Sequence, residues 1–400
     1  MEKSKSLDLE SLSGWLDAKK IKIRYNDITH KLDITGFDER YNPTTLEEQM
    51  HIIIHDEIKR EYTATKSQVQ DLLSVISQVN RYNPIFELLS ASEPWDGKDR
   101  IAELFDIMHV SEADILSCTL IRKWLFQTLA MAYNGYEGEA YGAEGILVLQ
   151  GPQGIGKTTL CRVLGVKKEL VKTGLILDVR DKDTLIRSTT CWIGELGELE
   201  STLRTDIAWL KSFITSGTDI YRVPYGRNDL EFPRRTSFIA TCNSDEFLVD
   251  TTGSRRFWVV PLKNKFDLAR LERVDAIQLW KQVRAEIAFS GMAYSDCFRL
   301  GEEELKQLKQ RNCQFNKKLR AQSEIEDILW SAANYPANYE FRWTTATQFK
   351  ECHASLKQYD AATIGRALKA IGIEESGKRL NGSRIVSKGC RFLPFLKNNK

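Results

Sequence analysis

Eight consecutive residues, Gly151-Pro152-Gln153-Gly154-Ile155-Gly156-Lys157-Thr158, limit what this chain can fold into more than any other feature. They follow Ile146-Leu147-Val148-Leu149, a continuous apolar run of the kind expected of a strand buried on both faces. Gly-x-x-x-x-Gly-Lys-Thr between such a strand and a helix is a phosphate-binding loop. Its glycines let successive backbone N–H groups converge on a phosphate, and the helix that follows presents its positive end. In that role Gly151 to Thr159 would cradle ATP, Lys157 would reach its β- and γ-phosphates, and the Thr158 hydroxyl would ligate Mg²⁺. The alternative, a glycine-rich turn that matches by chance, lacks an explanation for the strand and helix around it.

Three further apolar runs, near Leu175–Val179, Cys191–Gly194 and Thr236–Thr241, alternate with helical or polar stretches, and Phe257–Val260 adds another before Pro261. This alternation predicts an α/β core with a parallel sheet and crossover helices. Four hundred residues exceed what one core usually organises, so several domains are expected. We read 1–110 as a mixed, mainly helical lead-in, 111–300 as the nucleotide-binding core with flanking helices, 301–322 as a helical linker and 323–400 as a separate domain. Within the lead-in, Thr65–Arg81 has helical spacing, Asn83-Pro84 interrupts it, and Ile85–Ser90 is a second short helix. Leu116, Leu120, Trp124, Leu125 and Leu129 form the buried stripe of a longer helix.

The last 78 residues predict three helices, Ser323–Ala333, Thr345–Gln358 and Ala361–Ile371, the last capped by Asp360. A hairpin follows, Lys378–Leu380 and Ser383–Val386 about Asn381-Gly382, with Cys390–Phe395 as a final strand. Three helices and a hairpin suggest a winged-helix-like domain that meets DNA; a small packing domain with a soluble tail is the alternative. Residues 377–400 carry seven Lys or Arg and no Asp or Glu, which makes Lys378, Arg379 and Arg384 candidates for phosphate contacts.

A phosphate loop needs a carboxylate on a neighbouring strand end to hold Mg²⁺ and polarise water. Glu195, directly after Cys191-Trp192-Ile193-Gly194, is the first choice; Glu198 could take either role, and Glu200 reads as a solvated charge at a helix start. Asn243, after Phe238-Ile239-Ala240-Thr241-Cys242, could orient the attacking water or merely form a turn. Arg255 and Arg256, and Arg234 and Arg235 ahead of the Asn243 strand, are candidates for a guanidinium that stabilises the transferring phosphoryl group, including one on a neighbouring subunit; for each, a local salt bridge or a solvated position is the alternative. Between the acidic strand and the Asn243 strand runs Lys211 to Arg227, where Tyr221, Arg222, Tyr225 and Arg227 alternate around a Gly/Pro bend. That pattern can offer cations to phosphates and rings to bases, with Lys211 as a further cation, or simply be a surface loop with packed tyrosines.

No N-terminal stretch reads as a secretion signal and no run of apolar residues would span a membrane, so a cytoplasmic protein is expected. The eight cysteines form no CxxC pair, and His30, His51, His55, His109 and His353 make no convincing metal set.

The ordered set GPQGIGKTTL, WIGELGELE, LKSFITSGTDIYRVPYGR, PRRTSFIATCN and TGSRRFWVV resembles the helicase-like ATPase domain of the virulence-associated E family, found in phage, prophage and plasmid replication proteins and related to superfamily 3 helicases. Upstream, IKIRYNDITHKLDITG and RYNPIFELLSASEPWDGKDR resemble the family's lead-in, so that the likeness spans about 20–262. It implies an AAA+-related ATPase core in a hexameric ring, a homo-oligomer that translocates on single-stranded DNA in its central channel together with replication partners. Lys157 and Thr158 then take the phosphate-loop roles, Glu195 and Glu198 the acidic motif, Asn243 the sensor and Arg255 or Arg256 the inter-subunit finger, while Arg222 and Arg227 fall where DNA is contacted. Two residues separate Glu195 from Glu198, which departs from a simple paired-carboxylate pattern and leaves the metal and base roles undivided. Many relatives carry a primase upstream; the roughly hundred residues ahead of this core show no acidic catalytic cluster, and no primer synthesis is expected. The competing reading is a P-loop ATPase switch in signalling or defence, without unwinding.

Overall fold

The computed structural model of the chain describes residues 5–38, 40–41, 43–90, 93–136, 138–178, 181–203, 207–222, 229–248, 254–315, 320–379 and 387–397. They form two compact units, Met1–Phe315 and Asn316–Lys400.

The first unit is organised by a five-stranded parallel sheet of β1 (Ile146–Gln150), β2 (Val171–Leu175), β3 (Ile193–Leu196), β4 (Ser237–Cys242) and β5 (Phe257–Pro261), in the order β5-β1-β4-β3-β2. Strand β4 is inserted between the phosphate-loop strand and the acidic strand. That order gives the unit a P-loop, AAA+-like α/β architecture. The central strands alternate between two cores, as the two-residue repeat of a strand requires. Leu147, Leu149, Ile239, Trp258 and Val260 face one; Ile146, Val148, Phe238, Ala240, Phe257 and Val259 face the other. The long helix Ile115–Ala132 covers the first core, with Leu116, Leu120, Trp124, Leu125 and Leu129 all buried as their spacing predicts. Each large indole there keeps its N–H bonded: Trp124 to the Phe238 carbonyl (2.8 Å), Trp192 to that of Thr128 (2.8 Å) and Trp280 to that of Leu164 (2.7 Å).

One strand lies elsewhere than the apolar pattern indicates. The strand is Val171–Leu175, which ends where the Leu175–Val179 run begins; Ile176–Asp178 are not in a strand, and Val179 lies outside the described residues. It is an edge strand, so one side of it tolerates Lys172 and Gly174, while Leu175 and Leu177 dip back into the core.

Upstream, the helix Leu9–Ala18 is followed by an antiparallel pair, Lys22–Asn26 with Leu32–Thr35, to which Arg81–Tyr82 adds in parallel. The Lys66–Val79 helix starts on a Thr65 cap, as its sequence indicates, and the next helix begins at Pro84 with Asn83 accepting from Ile85 N–H (2.9 Å). The charged helix Glu302–Asn312 lies within this unit, with Leu308 and Asn312 buried.

The second unit runs helix Arg320–Asn334, strand Tyr339–Thr344, helix Ala346–Cys352, helix Ala361–Ala370, strand Ser376–Lys378 and strand Ser387–Leu396. Its three strands are antiparallel, with Ser387–Leu396 central. The second helix is shorter than the predicted Thr345–Gln358, ending at Cys352 before a separate turn over Ala354–Gln358. Tyr339–Thr344 replaces what the helical pattern alone left as a connection. The Asn381-Gly382 turn and Ser383–Val386 lie outside the described residues. No helix among the described residues is long and apolar enough to cross a membrane.

Candidate nucleotide site

The site is assembled at the carboxyl ends of β1, β3 and β4, where parallel sheets present their loops. Leaving β1, the chain turns through Gly151, Gly154 and Gly156, all at positive φ, and enters the Lys157–Leu164 helix. Two of these positions admit only glycine. A Cβ on Gly151 (φ +154°) would lie 2.1 Å from the Leu262 carbonyl oxygen, and one on Gly156 (φ +115°) would press on Leu268 and Phe266 at 2.8 and 2.9 Å. Gly156 offers no side-chain cap, so the first N–H groups of the helix are left for a ligand in the loop.

Within this turn Lys157 folds over its own loop. Its Nζ donates to Asn243 Oδ1 (2.7 Å), to the Cys242 and Pro152 carbonyls (3.2 Å each) and to the Gly151 carbonyl. Burial lowers its pKa, opposed by the nearby Cys242, Glu200 and Glu195. Next to it the Thr158 hydroxyl donates to Glu195 Oε1 at 2.6 Å, and Glu195 is only 2% exposed. The pair that could hold a hard cation is therefore in contact, and the lysine ammonium already gathers the acceptors that phosphate oxygens would replace. The residues thus fit a magnesium nucleotide. Thr159 is half-buried beside them, whereas Pro152, Gln153 and Gly154 are exposed and Ile155 is buried.

Glu198 does not share this position. It is exposed, with its backbone in the left-handed region (φ +52°), and it is Glu195 that meets Thr158. Glu200, by contrast, is not a solvated charge. Its carboxylate accepts the Ser244 N–H (3.2 Å) and the Cys242 thiol (3.0 Å), bracketing Asn243. Burial would raise this carboxyl, but the thiol and backbone N–H donors outweigh it and hold the pKa below the ordinary value. Sequence reasoning undervalued Glu200 because its partner lies 44 residues away.

The arginines divide into two groups. Arg234 is 2% exposed and wholly structural: its Nε reaches both Asp219 oxygens at 3.0 Å, other nitrogens bind Asp219 and the Phe213 carbonyl, and the guanidinium covers the Phe213 ring at 4.2 Å. Arg235 is buried too, donating to the Asp27 carbonyl (3.2 Å) and stacking on Tyr136 (4.5 Å). Arg255 is exposed and Arg256 half-buried, in a single turn (Ser254–Arg256) that precedes β5. Asn312 clasps this turn by donating to the Ser254 and Phe257 carbonyls (2.8 and 2.9 Å), a role nothing in the local sequence announces. Since β5 runs parallel to β1, the turn and the phosphate loop occupy opposite ends of the sheet, on the order of 15 Å apart along a five-residue strand.

The Tyr/Arg stretch is a hairpin, Thr218–Tyr221 paired antiparallel with Leu230–Pro233. Arg222 is exposed, and Tyr225 and Arg227 lie outside the described residues. Tyr221 is half-buried, stacked on Phe232 (4.8 Å) and hydrogen-bonded through its hydroxyl to His30. Lys211 lies on the preceding helix, Ile207–Ile214, where burial and the charge of Arg256 lower its pKa. This groups it with the β5 arginines more than with the hairpin. In the second unit Arg379 is exposed; the Lys378 side chain and Arg384 lie outside the described residues. Among the described residues no cluster of three or more His, Cys, Asp or Glu could hold a metal. The hydrogen-bonded Thr158–Glu195 pair is a candidate for coordination by two residues.

A family model described as the virulence-associated protein E-like domain matches residues 89–317, more than half the chain. The chain belongs to the virulence-associated protein E-like family. The match begins before the Ile115–Ala132 helix and ends just past Phe315, so this family domain contains every core strand and both arginine positions. Among solved structures the chain is similar to the A form apo structure of the NrS-1 C-terminal region, at 14% identity and a TM-score of 0.49, covering 98% of this chain and 100% of that one. It is also similar to an active helicase, SCCmec type IV Cch, at 13% identity and a TM-score of 0.36, covering 94% and 93%. No curated protein matches the chain. These structural likenesses are distant, and the strand order itself defines the core of this family member.

Proposed function

We propose that this chain is the ATP-hydrolysing motor of a phage or mobile-element replication helicase, working as a ring, hexameric in this reading, around single-stranded DNA. The observation that carries it is the convergence of Lys157, Thr158, Glu195 and Asn243 from three neighbouring strand ends onto one glycine loop. Residues 1–110 are then the lead-in, 111–300 the motor, 301–322 the linker, whose Glu302–Asn312 helix packs within the first unit, and 323–400 a winged-helix-like module for DNA or a replication partner. The helix, strand, helix, helix, strand, strand order of the second unit supports that last assignment. So does its charge, fifteen Lys or Arg against eight Asp or Glu over residues 316–400.

Lys157 would exchange its loop carbonyls for β- and γ-phosphate oxygens and neutralise charge that grows as the γ-phosphoryl group departs. Mg²⁺, held by Thr158 and Glu195, would supply a fixed positive charge across the phosphates. Asn243, freed from the lysine, could hold the attacking water in line, and Glu200 would keep its loop in place. Arg255 and Arg256, too far along the sheet to serve their own loop, would serve the loop of the next subunit. Binding would then tighten each interface and hydrolysis loosen it.

The test is ATP turnover by the full chain with and without single-stranded DNA, with Lys157→Ala as control. We expect DNA-stimulated turnover and strand displacement in wild type, and a loss of at least about 100-fold in the variant. Equal turnover in both proteins would refute the site. Turnover indifferent to DNA but raised by a protein ligand would favour the signalling or defence switch.

A further inference from the structure

The hairpin Thr218–Pro233 is held from outside the motor core. A turn in the upstream sheet, between Lys22–Asn26 and Leu32–Thr35, reaches across to it and delivers one side chain, His30. The His30 ring lies 4.5 Å from Phe232 and 6.0 Å from Tyr221, and its Nδ1 is hydrogen-bonded to the Tyr221 hydroxyl. This placement requires an unusual backbone, since His30 is in the left-handed region at φ +56°. The turn is built to supply it: Asn26 Oδ1 accepts from Ile28 N–H (2.9 Å) and Thr29 N–H (3.1 Å), and the Asn26 carbonyl accepts from His30 N–H (2.9 Å). Asp27, buried in the same turn, is bound by Arg81 Nε (2.9 Å) and by the Tyr136 hydroxyl, while its carbonyl accepts from Arg235 (3.2 Å). Arg81 belongs to the upstream sheet, Tyr136 follows the Ile115–Ala132 helix, and Arg235 is two residues ahead of β4. Burial, with Arg235 adding to it, lowers the His30 pKa to about 4, so the ring packs as a neutral aromatic at neutral pH.

We propose that His30 is a positioning residue: the upstream lobe, through His30, fixes the pose in which the hairpin presents Arg222 to single-stranded DNA. This rests on the reading of the hairpin as a nucleic-acid element. Arg234 and Asp219 anchor the base of the hairpin from within, and the His30 contact holds its Tyr221–Phe232 face from without. Lobe and DNA then act on one element, so a change in either is felt by the other through a shared free energy.

Two measurements on the full chain test this, hydrogen–deuterium exchange over 218–221 and 230–233 and the DNA concentration that half-maximally stimulates turnover. For His30→Ala we expect faster exchange in the hairpin with β1 unchanged, unaltered basal turnover, and a half-maximal DNA concentration raised roughly tenfold. Tyr221→Phe removes one oxygen and keeps the stacking, and should shift the same concentration by a smaller factor. Hairpin exchange identical to wild type in both variants would overturn the proposal, as would faster exchange with an unshifted DNA response. Wild-type turnover indifferent to DNA would overturn the nucleic-acid reading and this proposal with it, and the exchange data would show separately whether the contact exists.

Discussion

The two ends of the parallel sheet differ in completeness. At the carboxyl end, the cation, hydroxyl, carboxylate and amide required around a bound phosphate already touch one another: Lys157 on Asn243, Thr158 on Glu195, Glu200 beneath Ser244. At the amino end, Arg255 is exposed and the Arg256 Nε is buried without a hydrogen-bond partner among the described residues, on a turn that Asn312 clasps. One end is a connected candidate site, and the other offers positive charge. In the proposed reading, a single chain contains both halves of a reaction centre, set at opposite ends of one sheet.

The largest effect that could break this contrast concerns the arginines. Arg255→Ala or Arg256→Ala should lower turnover by up to about 1,000-fold, and mixing the impaired protein with Lys157→Ala subunits should restore or poison activity according to the ratio. Rates that simply add across mixing ratios would show that both ends act within one subunit. A second test separates charge kept for chemistry from charge used for folding. Asp219→Ala, which strands the buried Arg234, should cost about 3–5 kcal/mol in chemical denaturation, whereas Arg255→Ala should leave stability nearly unchanged. The smallest effect sharpens the carboxyl end. The Glu200 pKa is lowered by folding, so its contribution to stability is present above the ordinary carboxylate value near 4.5 and is lost as pH falls through the lowered one. Glu200→Gln should flatten that acid limb in a pH series of melting curves; an unchanged limb would mean that the Ser244 contact contributes little.

How much of this was legible follows from how local each signal is. The β1 strand, its loop and Lys157 form one continuous stretch, and Glu195 and Asn243 end apolar runs, so pattern and chemistry coincide there. Edge and pairing effects were harder to see. Val171–Leu175 is a strand because its neighbour makes it one, despite Lys172 and Gly174. Tyr339–Thr344 did carry a readable alternation of aromatic and polar residues, obscured by the helical stretch that follows. Arg234, Asn312 and His30 owe their roles to partners 15, 55 to 58 and 191 residues away, a relation no window of sequence contains. Arg234 and Arg255 are the same residue type, each in an Arg-Arg pair within a recognisable motif, and only burial separates the buttress from the exposed cation.

The loop glycines have a consequence in time. Gly151 and Gly156 are shaped against Leu262, Phe266 and Leu268, and the Gln150 and Ile155 carbonyls accept from Leu262 (2.7 Å) and Phe266 (2.9 Å). During synthesis the nucleotide loop emerges more than a hundred residues before the segment that completes it. A nascent chain therefore carries the motif long before it carries the packed loop, and the nucleotide binding proposed for it would wait until residues 262–268 have left the ribosome.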